Sequence, residues 1–236
     1  MIEFREVSFA FDGTSVLEDV SLAFGDEEFA LLAGANGSGK TTLLRHCNAL
    51  LTPDRGAVLV DGTPVAADPV AARTAVGTVF QHPRDQFVAA TIGADVAFGP
   101  ENLGLDRPEI DRRVATALEA VNMTGRDDER IDRLSGGEQA RVAIAGALAM
   151  EPTHLLLDEP FAGLDEPARR SVRSHLARLS ADGTGVIVAT HDLRDLVGLA
   201  DRLVVMADGR VAVDDRPERA LDRLDSLGVR IPSTRP

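Results

Sequence analysis

This 236-residue chain has one cysteine, Cys47, so no disulfide can close within it. No apolar run approaches the ~20 residues that a bilayer-spanning helix needs. The opening residues, Met1-Ile-Glu-Phe-Arg, lack the apolar core of a secretory leader, and a soluble, intracellular chain is expected. Positive charge is scarce: 25 Lys and Arg stand against 38 Asp and Glu, a net of −13. A nucleic-acid binder normally carries a basic face, so nucleic acid is not expected as a partner. Only one basic residue is a lysine, Lys40, which leaves 24 arginines. Adaptation to high salt produces an acidic, lysine-poor surface; codon composition is the other source of an arginine preference. Internal repeats and low-complexity stretches are absent from the sequence. The length fits one domain or one core with a subdomain, and 44% hydrophobic residues suffice for a proper core.

The solitary lysine lies in Gly34-Ala-Asn-Gly-Ser-Gly-Lys40-Thr41, which has the spacing of a phosphate-binding loop. Gly34, Gly37 and Gly39 let the backbone wrap a polyphosphate with its N–H groups turned inward, around Ala35, Asn36 and Ser38. Lys40 brings a compact positive charge to the β- and γ-phosphates, and the Thr41 hydroxyl can ligate Mg²⁺. The context agrees. Residues 29–33 read as a buried strand, and 41–50, from Thr41 and Thr42 onward, as a helix whose N-terminus faces the anion. Cys47 falls in that helix and is read as packing.

Residues 2–9 alternate like a strand, and Asp12-Gly13 supplies a turn before a second strand over 16–24. Phe9 is read as core; Phe11, beside the turn, is the candidate for stacking on a nucleobase. Residues 57–65 form a hairpin around Asp61-Gly62, and the short apolar strand 76–80 ends at Gln81. From 82 to 152 the pattern is helical. Pro108 opens a helix with Ile110, Val114, Leu118 and Val121 at helical spacing. Ser135-x-x-Glu138 is a capping box before a helix over 139–150. With Gly136 and Gly137, that terminus also suits phosphate. An apolar strand over 153–158 ends in Asp158 and Glu159. A helix over 167–181 leads to a strand over 185–190 that ends in His191. A hairpin around Asp208-Gly209, a short charged helix over 216–227 and a tail to 236 complete the chain.

Four apolar strands thus end in polar groups: the phosphate loop, Gln81, Asp158 with Glu159, and His191. A parallel α/β sheet binds ligands outside the carboxyl ends of its strands, so these groups should converge on one site. There Asp158 would hold Mg²⁺, directly or through water. Glu159 would act as general base on an attacking water. The implied reaction is ATP hydrolysis.

Leu134-Ser-Gly-Gly-Glu138, between the phosphate loop and Asp158, resembles the signature of ATP-binding-cassette (ABC) ATPases. The resemblance covers nearly the whole chain. It implies a P-loop (RecA-like) α/β core with an N-terminal antiparallel β subdomain and an inserted α-helical subdomain. The core would take 1–81 and 153–215, the helical signature subdomain 82–152, and a C-terminal helix and tail 216–236. By the same resemblance Phe11 matches the adenine-stacking position, and Gln81 a metal- and γ-phosphate-sensing glutamine. Asp165, in Gly163-Leu-Asp165, matches the D-loop, and His191 the switch histidine. Two ATPs would be held in a head-to-tail dimer with a second copy or a paralogue, and Ser135, Gly136, Gly137 and Glu138 would act in trans.

A narrower match begins at Gln81. Phe80-Gln-His-Pro-Arg-Asp-Gln86 and the run from Asp95 to Gly104 are similar to ATPases of energy-coupling-factor transporters, the cobalt and nickel (CbiO-like) and vitamin importers. Gly93 departs from the glutamate usual there. The resemblance implies an importer subunit at the cytoplasmic face of the membrane, with a transmembrane coupling protein and a substrate-binding membrane subunit as partners. Alternative readings are a soluble ABC ATPase, for example of iron–sulphur assembly, or the ATPase of another ABC importer. A DNA-repair ABC ATPase would require a long coiled-coil insertion, which the sequence lacks.

The charge balance generates a first test. Screening shortens from about 10 Å at 0.1 M salt to about 3 Å at 1 M, which suppresses repulsion among surface carboxylates. The melting temperature should therefore rise markedly from low to molar KCl; a flat curve assigns the lysine scarcity to codon composition alone.

Overall fold

The computed structural model describes residues 1–224 and 227–230. β1 (Ile2–Phe11) and β2 (Thr14–Phe24) form the first hairpin across Asp12-Gly13. β3 (Phe29–Ala33) leads through the phosphate loop into α1 (Lys40–Cys47). β4 (Arg55–Val60) and β5 (Thr63–Pro64) pair across Asp61-Gly62. The next elements are α2 (Pro69–Ala75) and β6 (Val76–Val79). Three helices follow: α3 (Ile92–Asn102), α4 (Arg107–Ala120) and α5 (Gly136–Leu148). The chain then returns to the sheet with β7 (His154–Asp158), α6 (Glu166–Ala181) and β8 (Gly185–Thr190). β9 (Arg202–Ala207), β10 (Arg210–Asp215) and the short α7 (Pro217–Ala220) come last.

Two sheets result. One is antiparallel, ordered β2-β1-β4-β5, and the other six-stranded, ordered β10-β9-β3-β8-β7-β6. In the second, β9, β3, β8, β7 and β6 are parallel, and β10 closes the edge as an antiparallel hairpin partner. Parallel strands covered on both faces read as unbroken apolar runs. Every residue of β3, β7 and β8 is buried accordingly.

Side chains alternate across a strand, so the central sheet separates two cores. Leu31, Leu155, Leu157 and Val188 face α3, α4 and α5. Leu32, Leu156, Ile187 and Val204 face α1 and the antiparallel sheet, with Phe4, Phe24 and Leu43. The helical region shares the first of these cores: Ile92, Val96, Leu118 and Met123 belong to the same buried cluster as the sheet residues.

Some elements differ from the sequence reading. α2 had no strong apolar period to announce it; Asp68 caps it and Pro69 opens it. α1 ends at Cys47 rather than 50, and α5 begins at Gly136, three residues before the expected 139, because Ser135 is its cap. Of the charged helix expected over 216–227, the described residues form α7 and a 3-10 turn at Leu221–Arg223, and 225–226 lie outside the described residues. Residues 231–236 of the expected tail lie outside the described residues. Gly93 sits where an added Cβ would come within 3.1 Å of Asp127 Cβ, so a glutamate there would crowd another acid.

Because the helical region and the sheet share one core, they should unfold together. Leu118→Ala should cost about 2–5 kcal/mol, the range for emptying a buried leucine site. Thermal unfolding followed by calorimetry and by the far-UV signal should remain one transition; a separate early melting of the helices contradicts the shared core.

Candidate functional site

The carboxyl ends of β3, β6, β7 and β8 share one edge of the parallel sheet, and a cleft of about 340 Å³ opens there. Asn36, Gly37, Gly39, Lys40, Thr41 and Thr42 line one side. Gln81, Asp158, Glu159 and His191 line the other, and Val16 and Ala162 complete the wall.

The loop is shaped by contacts that tolerate no side chain. Gly34 has φ 148°, and a Cβ there would lie 2.4 Å from Met206 O. Gly39 has φ 103°, and a Cβ there would lie 2.8 Å from Leu17 Cδ2. Both are positions for glycine alone. Gly39 caps α1 without a side-chain hydrogen bond, whereas Asp68, Asp106, Ser135 and Asp165 cap α2, α4, α5 and α6 with theirs. The first-turn N–H groups of α1 therefore have neither an intrahelical acceptor nor a side-chain cap, and they face the cleft. Ser38 Oγ is buried with no hydrogen-bond partner. These donors fit an anion.

Lys40 is 6% exposed, and its Nζ donates to Gly34 O at 2.8 Å and Ala35 O at 3.0 Å. An ammonium has three protons, so one remains for a phosphate oxygen. Burial lowers its pKa, and the charges of Glu159 and Asp158 work against that shift. Thr41 Oγ1 donates to Asp158 Oδ2 at 2.6 Å. Burial raises the Asp158 pKa; the Thr41 bond opposes the shift and the Glu159 charge adds to it. A hydroxyl and a carboxylate side by side, with Gln81 on the same wall, form an oxygen donor set of the kind Mg²⁺ prefers.

Glu159 follows β7 with φ 49°, a left-handed turn rare outside glycine, and its N–H bonds to Ala189 O at 2.8 Å. That turn carries the side chain to the end of β8. Its Oε1 accepts from His191 N at 2.9 Å and lies 2.7 Å from His191 Nδ1; Thr190 Oγ1 donates to Oε2 at 3.0 Å. An ionised carboxylate only accepts, so the Nδ1 contact puts a proton on that nitrogen.

Not every expected residue lies in the cleft. Phe11 is 44% exposed and packs edge-on against Phe9 at 4.8 Å; it does not line the cleft. Phe9 in turn meets His46 at 5.0 Å on the core side. Ser135 and Glu138 form a complete capping box at the start of α5, and Arg126 pairs with Glu138. The Glu138 pKa drops to about 2, through the Ser135 backbone N–H first, then the Ser135 hydroxyl and Arg126. Neither these residues nor Gly136, Gly137 and Asp165 line the cleft of their own chain. Asp165 caps α6 through Ala168 N. Thr190 was missed by sequence reasoning; a hydroxyl one residue before His191 was its only signal.

A sequence model of the ABC transporter family matches residues 17–162. The chain is 60% identical over 232 residues to a Halobacterium salinarum protein provisionally named an ABC transporter ATP-binding protein, covering 98% of this chain and all of that one. It is 41% identical over 232 residues to the energy-coupling factor transporter ATP-binding protein EcfA of Methanocaldococcus jannaschii, covering 96% and 83%. Among solved structures, cbiO1 from Clostridium perfringens, described as part of the ABC transporter complex cbiONQ, superposes with a TM-score of 0.86 at 34% identity. That match covers 94% of this chain and 90% of the other.

Proposed function

Because this chain belongs to the ABC transporter family and is an ABC transporter ATPase, we propose that it is the ATP-hydrolysing subunit of an energy-coupling-factor importer. Its cargo would be a metal ion such as cobalt or nickel, or a vitamin. The observation that carries the chemistry is the meeting of Lys40, Thr41, Asp158, Glu159 and His191 in one cleft. The likeness to EcfA and to cbiO1 supports the transporter type. Among the described residues no helix is long and apolar enough to cross a membrane. As the ATPase of a transporter with separate membrane subunits, the chain would act peripherally, at the cytoplasmic face.

In this reading the loop from Gly34 to Gly39 and the first turn of α1 wrap the phosphates, and Lys40 neutralises them. Phe11 stacks on the adenine from its exposed position. Thr41, Asp158 and Gln81 hold Mg²⁺, which when bound offsets the charge on the β- and γ-phosphates. Glu159 takes a proton from the attacking water, held in place by Thr190 and His191. His191 also reports on the γ-phosphate. Ser135, Gly136, Gly137 and Glu138 lie outside their own cleft, so a second subunit supplies them across the dimer, with Asp165 beside the joint.

Lys40→Ala should abolish productive ATP binding. Glu159→Gln should bind ATP but turn over roughly 10²–10⁴-fold more slowly, the scale of a lost general base, and should accumulate as an ATP-bound dimer. Wild-type turnover in Glu159→Gln removes the base role.

A second cleft, of about 370 Å³, lies where the segment after Gln81 meets α3 and α5, with Leu50, Phe87, Val88 and Phe98 on its walls. Ile92 and Val96, apolar in the same stretch, are buried in the core instead. Val88 is 60% exposed and Phe98 46%. We assign this groove to a short helix of the transmembrane coupling protein, an apolar helix-in-groove contact. Val88→Asp and Phe98→Asp should abolish co-purification with the membrane subunits while basal ATPase and melting temperature hold. Unchanged assembly in both variants rules out this surface.

A further inference from the structure

The segment 227–230 returns to the start of the phosphate loop and to the residues that follow β8. Arg230 N–H donates to His191 O at 2.8 Å, and Leu193 N–H donates to Arg230 O at 2.9 Å. The two bonds form a parallel bridge centred on Asp192. Leu227 and Val229 are half-buried against the core that also holds Leu193 and Leu196. Gly228, at φ 65°, passes so close to the phosphate loop that an added Cβ would lie 3.0 Å from Ala35 Cβ. One short piece of chain thus touches the loop on one side of the cleft and the switch segment on the other.

Among the described residues, the other hydrogen bonds of residues 191–193 are local or lead to Glu159, and the next outside bond is from Arg169 to Asp195. Thr190 Oγ1 accepts from Asp192 N at 3.0 Å, Arg194 bonds back to Asp192, and His191 reaches Glu159 through N and Nδ1. Leu193 is packed in the core, but among the described residues no other hydrogen bond holds the His191 carbonyl, so without Arg230 that residue and the Glu159 carboxylate could shift together. The Arg230 backbone supplies an anchor about forty residues further along the chain, bonding the carbonyl of the same residue whose N–H and imidazole hold Glu159. A displacement of about 1 Å at such a position is enough to cost up to roughly a hundredfold in rate.

We propose that Arg230 is a positioning residue for ATP hydrolysis: its backbone N–H and C=O clamp residues 191–193 and so hold His191 against Glu159. The inference rests on the roles given above to His191 and Glu159. The Arg230 side chain is exposed and its charge acts on the Asp192 carboxylate, whereas the two hydrogen bonds of the clamp are made by the main chain alone.

The test separates backbone from side chain. Arg230→Ala keeps the N–H and should leave kcat within about twofold of wild type. Arg230→Pro removes the donor and should lower kcat roughly tenfold, with the KM for ATP and the nucleotide-free melting temperature unchanged. Wild-type kcat in Arg230→Pro, or an equal loss in Arg230→Ala, overturns the proposal. A measurement on the unmodified chain is independent of how the variants fold: the amides of Leu193 and Arg230 should be protected from hydrogen exchange, and exchange at unprotected rates overturns the clamp. His191→Ala, assayed alongside, isolates the premise. Slow turnover in His191→Ala with normal turnover in Arg230→Pro removes only the clamp, whereas normal turnover in His191→Ala removes the role assigned to the histidine itself.

Discussion

Parallel pairing of β3, β8, β7 and β6 is the constraint on which the rest of the molecule depends. Parallel strands cannot be joined by tight turns, so each must be followed by a crossover that packs on a sheet face. α1, the helical region and α6 are those crossovers. Because the strands run the same way, everything that follows them emerges at one edge. The register Leu157↔Val188 and Asp158↔Ala189 then sets Glu159 level with Thr190 and His191. The phosphate loop arrives at the same level through Leu32↔Ala189 and Ala33↔Thr190.

What gathers at that edge is electrostatically costly by itself. Two adjacent acids, one of them nearly buried, share the cleft with a single lysine. The protein relieves this locally with donors: Thr41 on Asp158, and Thr190 with His191 on Glu159. Lys40 meanwhile is held by carbonyls of its own loop. A polyphosphate with its divalent cation adds charges of both signs to this arrangement, so ligand binding and site organisation are one electrostatic problem. Lys40 being the chain's only lysine fits that demand. A compact ammonium can sit inside the wrapped loop, where a planar guanidinium would need more width.

The central sheet also decides how the two halves communicate. Its faces feed separate cores, one holding α1 and the antiparallel sheet, the other the three helices before β7. Interiors are densely packed and shift as units rather than deform. A change at the phosphate loop is felt on one face and a change at the signature helix on the other, with the strand ends at the cleft common to both. Gln139 adds a polar link on the helical side. Buried at the start of α5, it accepts from Arg84 Nε at 2.7 Å and donates to Ile131 O and Leu134 O, joining the segment after Gln81 to the turn before Ser135.

The sequence by itself determined features whose physics is local. The glycine spacing that wraps a phosphate, the Ser135–Glu138 capping box, the Asp-Gly turns and the fully apolar parallel strands all depend on neighbours a few residues away. The polar groups at four strand ends could be assigned to one edge from the general rule for parallel sheets. Whatever depended on long-range packing was not legible. Val88 and Val96 belong to the same apolar run, yet one is exposed in a groove and the other is buried in the core. Phe11 matches an adenine-stacking position by resemblance, but only the folded hairpin shows it exposed, edge-on to Phe9 and outside the phosphate cleft. The turn at Glu159 that delivers its carboxylate to His191 requires the register of β7 on β8, which no composition specifies. The return of Arg230 to the switch segment left no trace in the sequence, because a main-chain hydrogen bond needs no particular side chain and only the folded chain decides which backbones meet.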